Sequence, residues 1–244
     1  MGLTKIGTCL IVALLAGGYL TAKTVMVEGS ATAIPLMTQD VRAVHLRAVG
    51  ADRVYQQHFP ATVEDVNLSA NNLLALPDDL IPAGIKRLWL ADNRLMALPK
   101  GCEAWQQLTY LNLDRNFFVE LPSLEQTALR WLRLNGNRLK AVPPLPDTVE
   151  RLYLADNQLR TFTQKPAALR HLTLANNPLE SIEPALGCGL EELDLSGTKL
   201  TRLPESLDGW QTLRVLNVAR CPLPESEKDR LEAFFDPLQT LLIF

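Results

Sequence analysis

The chain has 244 residues, a formal net charge of −3 and 47% hydrophobic residues. This length fits one mid-sized domain plus a short extra segment, with enough apolar residues for a continuous core. The slightly acidic balance argues against a general affinity for nucleic acid or anionic lipid. The cysteines, Cys9, Cys102, Cys188 and Cys221, match no zinc or redox spacing, and their scatter argues against a disulfide framework. One bridge among the last three stays open.

The first segment of the chain is apolar. Residues 6–22 hold no charged side chain and are bracketed by Lys5 and Lys23. A helix of this length spans about 26 Å, against roughly 30 Å of bilayer hydrocarbon. Residues 1–22 are therefore predicted to be either a cleaved signal peptide or a retained membrane anchor, followed by a linker over residues 23–40. The remaining alternative is a buried core helix.

A repeated unit of 20 to 23 residues follows over residues 63–224. Each unit has an alternating x-Leu-x-Leu segment, then a polar residue three positions later, then a further apolar residue. The polar position is an asparagine in six units: Asn71, Asn93, Asn116, Asn137, Asn157 and Asn177. It is Thr198 and Cys221 in the last two. Residues 41–62 form a degenerate unit that keeps the register but has Val49 at this position.

The repeat has a direct physical interpretation. The alternation predicts a short strand with one buried face. The asparagine amide is able to pair with backbone groups of neighbouring turns that would otherwise be buried without partners. The stacked units should therefore contain an internal asparagine ladder, which weakens at Thr198 and Cys221 because their side chains hydrogen-bond less well.

These positions resemble the leucine-rich-repeat family over about residues 41–244. Units such as residues 142–147 are similar to the 20-residue class of bacterial secreted effectors, and residues 203–207 to the 23-residue class. The resemblance implies an α/β solenoid. It would be a right-handed superhelix with a concave parallel β-sheet and a convex side of irregular chain, 3-10 turns or short helices. It also implies that residues 225–244 are a carboxyl-terminal cap made of a helix and a strand.

The positions between the strand leucines should point outward from the concave face. In the second to sixth units these positions concentrate aromatic and basic residues, which are the types that dominate binding hot spots. We therefore predict a partner-binding patch made of Arg87, Trp89, Tyr110, Trp131, Arg133, Arg151, Tyr153 and His171. The alternative is that strand surfaces favour aromatic residues anyway. Trp105 and Trp210, by contrast, precede repeat-opening leucines and are predicted to be buried on the convex side.

Charge is unevenly distributed along the repeats. Residues 85–160 hold 11 basic against 8 acidic residues, whereas residues 176–236 hold 6 against 12. Such a gradient is able to orient an approaching partner, although an ordinary solvated surface explains it as well.

The sequence predicts no catalytic, cofactor or metal site. The three histidines, His45, His58 and His171, fall in different parts of the repeat, and no glycine-rich phosphate loop is present. We expect a non-enzymatic protein-interaction module that binds a protein ligand on its concave face. The alternatives are a structural spacer of the cell envelope, a secreted effector-like binding protein, and an enzyme with catalysis on the concave face.

The expected partners and location follow from the same features. We expect a monomer that binds a protein ligand and no nucleic acid, and that meets a membrane only through residues 6–22 if these are not cleaved. The apolar segment predicts export. The chain would then be periplasmic, anchored in the inner membrane facing the periplasm, or secreted.

Overall fold

The structure is a computed structural model that describes residues 9–16, 19–30, 33–182 and 189–244. The chain divides into two compact units, residues 1–116 and residues 117–244. Apart from one antiparallel pair of longer strands at the start of the first unit, each unit is built from short parallel strands joined by longer connecting segments with little helix. The predicted parallel-sheet solenoid is confirmed.

The apolar first segment is extended in the parts that the structure describes. Strands β1, Cys9–Ala16, and β2, Tyr19–Glu28, pair in antiparallel orientation. Strand β2 then pairs in parallel with β3, Val41–Arg47. The prediction of a helix over residues 6–22 is therefore wrong for residues 9–16 and 19–22, which form strands. Residues 6–8 and 17–18 lie outside the described residues. Nowhere in the described part of the chain is a helix long and apolar enough to cross a membrane.

Sequence reasoning failed there for a physical reason. A run that is apolar on every side has no period, so it does not distinguish a helix from a strand. Its β-branched residues favour extended backbone. Strand β2 also takes up residues 23–28, the first part of the expected linker. Val25 and Val27 of β2 are almost fully buried.

The rest of the first unit continues the parallel pairing. Strand β3 is followed by β4 (Asp65–Asn67), β5 (Arg87–Trp89) and β6 (Tyr110–Asn112), each paired with the preceding strand. The connecting segments contain a short helix α1, Ala51–Tyr55, and a 3-10 turn, Cys102–Ala104. Trp105 follows this turn and is 2% exposed, which confirms its predicted burial.

The second unit has the same construction. Its strands, each paired in parallel with the next, are β7 (Trp131–Arg133), β8 (Arg151–Tyr153), β9 (His171–Thr173), β10 (Glu192–Asp194), β11 (Val215–Asn217) and β12 (Leu241–Ile243). The connecting segments include a 3-10 turn, Asp208–Trp210, and helix α2, Glu225–Phe234. Trp210 is fully buried, as predicted. Helix α2 and β12 lie in the segment expected to form the cap.

The asparagines form hydrogen-bonded rows on the buried side of the repeats. The side-chain oxygen of Asn93 accepts hydrogen bonds from the backbone N–H groups of Asn71 and Leu73, both at 3.0 Å. Its amide nitrogen donates to the backbone carbonyls of Leu68 and Leu90, at 3.0 and 2.9 Å. With a longer bond to the carbonyl of Ala91, at 3.3 Å, one side chain thus hydrogen-bonds five backbone groups that the fold buries.

The row changes character toward the end of the second unit. Asn157 and Asn177 donate to two leucine carbonyls each and accept one backbone N–H. At the next position the hydroxyl of Thr198 lies 3.2 Å from the sulfur of Cys221, and that thiol donates to the carbonyl of Leu195 at 3.1 Å. Because a thiol is a weak donor, these last two units are held less firmly by their side chains.

The residue just before each ladder position has left-handed backbone. Its φ lies between 53° and 66° in all eight repeats: Ala70, Asp92, Arg115, Gly136, Asp156, Asn176, Gly197 and Arg220. This turn aims the backbone N–H at the next repeat, as when Ala70 donates to the carbonyl of Ala91 at 2.9 Å. Left-handed backbone costs a residue with a Cβ atom about 1 kcal/mol, a cost that glycine avoids. Six of the eight repeats therefore carry a small local strain.

A buried carboxylate attaches helix α2 to the preceding repeat. Glu227, with its side chain 7% exposed, accepts hydrogen bonds from the backbone N–H of Leu203 at 2.8 Å and from the Arg230 guanidinium at 2.7 Å. Burial favours the neutral acid, but the hydrogen bonds from Arg230 and Leu203 outweigh it and hold the pKa of Glu227 below its ordinary value. The folded state thus favours the charged form of Glu227.

Candidate protein-binding surface

Each three-residue strand from β4 to β11 buries its central residue and turns the two flanking residues outward. Leu88 and Leu111 at the centres of β5 and β6 are fully buried, as are Leu132 and Leu152 in β7 and β8. The flanking residues are exposed or half-buried. We call these outward positions the strand face, and treat it separately for β3–β6 and for β7–β12.

The strand face of the first unit carries an aromatic cluster. The rings of Trp89 and Tyr110 are 5.0 Å apart between centroids, tilted by 38°. The ring of His45 meets Trp89 nearly edge-on, with centroids 6.0 Å apart. Adjacent strands lie about 4.8 Å apart, so side chains from β3, β5 and β6 come together by leaning along the sheet.

An ion pair borders this cluster. Asp65 accepts two hydrogen bonds from the Arg87 guanidinium, 2.6 Å from Nε and 2.5 Å from Nη2. This bidentate contact raises the pKa of Arg87 above its usual value. Burial lowers the pKa of His45; Asp65 opposes that effect and Arg87 adds to it. His45 is therefore neutral near pH 7, and the cluster presents uncharged rings beside a fixed guanidinium.

The strand face of the second unit pairs each aromatic ring with an arginine. The guanidinium of Arg151 lies 4.8 Å from the ring centroid of Trp131, and that of Arg133 lies 5.0 Å from the Tyr153 ring. The tryptophan remains 40% exposed. Stacking of this kind is worth about 0.5–1 kcal/mol at an exposed site, so it favours the stacked arrangement a few-fold.

His171 follows these two pairs on β9. Its side chain is 16% exposed, and Nε2 lies 3.5 Å from a carboxylate oxygen of Glu192. Its Nδ1 atom is buried and has no hydrogen-bond partner among the described residues. Among the buried side-chain nitrogen and oxygen atoms of the predicted patch, this is the one without a hydrogen-bond partner in the described chain.

The predicted patch residues lie on the strand face of both units. Arg87, Trp89 and Tyr110 come together in the first, and the two ring–guanidinium pairs in the second. His45 also belongs to the first cluster, and the sequence analysis did not select it. The outward column that holds Trp89, extended back by two units, would have identified it. No group of three or more potential metal ligands occurs in the described parts of the chain.

Comparisons with known proteins bear on the repeat and its fold. A family model described as Leucine Rich Repeat matches residues 189–210. The chain is 33% identical over 171 residues to Podocan-like protein 1 of Mus musculus, covering 62% of this chain and 30% of that protein. It is 27% identical to Lumican of Bos taurus, covering 64% of this chain and 44% of that protein. The chain thus spans less than half the length of these curated relatives.

Solved structures share the architecture. A Shigella effector leucine-rich-repeat domain is 28% identical with a TM-score of 0.55, covering 66% of this chain and 70% of that one. YopM from Yersinia pestis is 24% identical with a TM-score of 0.62, covering 77% and 51%. The chain has the leucine-rich-repeat fold. The leucine-rich-repeat family is supported, but the bacterial subtype and its unit classes are not confirmed, because the curated relatives named above are mammalian.

Proposed function

We propose that this leucine-rich-repeat chain is a non-enzymatic interaction module that holds a protein ligand on its strand face. The observation that carries the proposal is the exposed pairing of Trp131 with Arg151 and of Tyr153 with Arg133. The buried side of the sheet supplies the core, so the core does not require these residues. Tryptophan, tyrosine and arginine are the residues most enriched in binding hot spots.

Stacking also prepares these side chains for binding. Immobilising a flexible side chain at an interface costs about 0.5–1.5 kcal/mol. An arginine that already lies on an aromatic ring loses less freedom when a partner arrives. A solved structure with this fold and 20% identity, the Toll–Spatzle complex of Drosophila, contains a chain of this fold in a complex with another protein. For this chain, a protein ligand is part of the proposal.

The proposal is tested by photo-crosslinking from the strand face. A photoreactive phenylalanine analogue is placed at position 131, and a matched control at Lys140, an exposed residue of a connecting segment. Position 131 should yield a discrete cross-linked protein, identified by mass spectrometry, and position 140 should not. Equal products from both positions, or none from position 131, would favour a spacer whose strand face binds nothing.

The captured protein is then titrated against paired variants. We expect Trp131→Ala combined with Tyr153→Ala to weaken binding about a hundredfold, since each hot-spot residue contributes 1 kcal/mol or more. The control is Val119→Ala, which removes a similarly exposed apolar side chain (42%, against 40% for Trp131) from a connecting segment. Unchanged affinity in the double variant contradicts the proposed surface.

We also propose that the chain is exported, because residues 6–22 form an uncharged apolar run between two lysines. The folded first unit limits where processing takes place. Val25 and Val27 are buried and β2 pairs with β3, so a cut before Thr24 removes β1 but keeps the pairing of residues 24–28 with β3. A cut after Ala33 would remove it. Cell fractionation followed by mass measurement of the exported form should give an amino terminus no later than Thr24; a purely intracellular protein would contradict export.

A further inference from the structure

The strand face of the second unit contains a depression of about 340 Å³ next to the ring–guanidinium pairs. It combines two carboxylates with aromatic and aliphatic walls. Its lining includes Tyr153, His171, Glu192, Asp194, Val215 and Ile243. A cavity with an acidic side and an apolar side suits a ligand that is itself both cationic and aliphatic.

The carboxylates in this depression remain available for a further partner. Glu192 is 57% exposed, and its ion-pair contact within the described chain is the long 3.5 Å approach of His171. Asp194 accepts one hydrogen bond from the backbone N–H of Ser196 at 2.9 Å and retains further acceptor capacity. The arginines on the same strand face are directed elsewhere, over the rings of Trp131 and Tyr153.

Strand register places this acidic region next to the basic one. Arg151 aligns with His171, and His171 aligns with Glu192. Two strand spacings correspond to roughly 9.6 Å. The charge on the strand face of this unit therefore changes from positive to negative within a short distance, from guanidinium groups on β7 and β8 to carboxylates on β10. Complementary charge on a partner would fix its direction and register across the strands.

We propose that the depression receives an arginine or lysine side chain of the bound protein. The charged head pairs with Glu192 and Asp194, and the aliphatic stem packs against Val215 and Ile243. His171 closes one side of the depression, with Nε2 3.5 Å from the Glu192 carboxylate. The inference rests on the proposed strand-face function and adds the chemistry of the ligand.

The test selects ligands without prior assumption about them. A random 12-residue peptide library displayed on phage is panned against the full chain. Peptides that bind the intact chain are then measured against Glu192→Gln combined with Asp194→Asn. The control, Glu205→Gln combined with Glu232→Gln, makes the same change of charge at exposed residues away from the strand face. Both double variants keep the size of the original side chains and their ability to form hydrogen bonds.

We expect selected peptides to be enriched in arginine or lysine and to bind the Glu192/Asp194 variant about tenfold more weakly, or worse. Binding to the control should be unchanged. Peptides that depend on Trp131 and Tyr153 but lack basic residues, or bind the acidic-site variant equally well, overturn this inference and leave the strand-face function intact. Failure to select any peptide that depends on Trp131 and Tyr153 counts against both proposals.

Discussion

The two sides of each strand differ in how they change along the chain. On the buried side, leucine and asparagine recur with little variation from repeat to repeat. On the strand face, Arg87 and Trp89 of β5 become Glu192 and Asp194 of β10. A repeating interior with a varying exterior indicates that stability and recognition reside in different columns of one sequence. Substitutions in one column should therefore leave the property of the other nearly unchanged.

The largest loss of stability should come from the asparagine ladder. Asn93→Ala leaves the buried N–H groups of Asn71 and Leu73 without an acceptor. The carbonyls of Leu68 and Leu90 each lose one of two donors and keep the amide of the neighbouring ladder asparagine. For two unsatisfied N–H groups at about 1–3 kcal/mol each, partly relieved by water, we expect a loss of about 3 kcal/mol in the free energy of unfolding, measured with urea. Asn67→Ala is the control, since this strand-face side chain accepts one backbone hydrogen bond, from Ser69. Equal losses of unfolding free energy for Asn93→Ala and Asn67→Ala would contradict the distinction between the buried side and the strand face.

A smaller loss is expected where helix α2 meets the last repeats. Glu227→Gln replaces a charge-assisted contact with Arg230 and Leu203 by a neutral one, which should cost about 2 kcal/mol at pH 7. Because the folded-state pKa of Glu227 is lowered, this stability is present above its ordinary pKa and disappears as pH falls through the folded-state value.

The difference in the free energy of unfolding between the Glu227→Gln variant and the original chain should therefore be smaller at pH 3 than at pH 7. Glu225→Gln, at an exposed position on the same helix, should change stability little at either pH. A Glu227 effect that grows on acidification would contradict the sign of the pKa shift.

A gain in stability is expected at the left-handed turns. Ala70 has φ 61°, so Ala70→Gly relieves the strain of its Cβ atom and should raise the free energy of unfolding by up to about 1 kcal/mol. The gain is limited because glycine has more freedom in the unfolded chain. Ala91→Gly serves as the opposite case: Ala91 is not among the residues with positive φ, so its replacement should destabilise the protein. A lower free energy of unfolding for both variants would contradict the backbone strain assigned to Ala70.

The smallest effect on stability is expected on the strand face. Trp131→Ala removes an exposed ring and one cation–π contact, so the free energy of unfolding should fall by less than about 1 kcal/mol. Thermal denaturation of the variant checks this expectation. A loss as large as that of Asn93→Ala would place Trp131 with the structural residues.

These differences explain what the sequence was able to predict. The leucine positions follow from period and burial, and so do the outward columns, because a three-residue strand leaves no choice of side. The strands β1 and β2 were missed because a uniformly apolar run has no period. His45 was overlooked because its unit has Val49 in place of the asparagine that marks the other units. The left-handed turns were invisible because Ala70 and Arg115 are not residues that favour positive φ.

The four tryptophans allow the most direct test of the central claim, because two are on the strand face and two are in the core. Indole N–H resonances are followed by NMR while the cross-linked partner, or a selected peptide, is added to the full chain. The account predicts that the Trp131 resonance shifts on binding while those of the buried Trp105 and Trp210 stay in place. Saturating ligand that moves the buried indoles and leaves Trp131 unchanged would contradict recognition by the strand face.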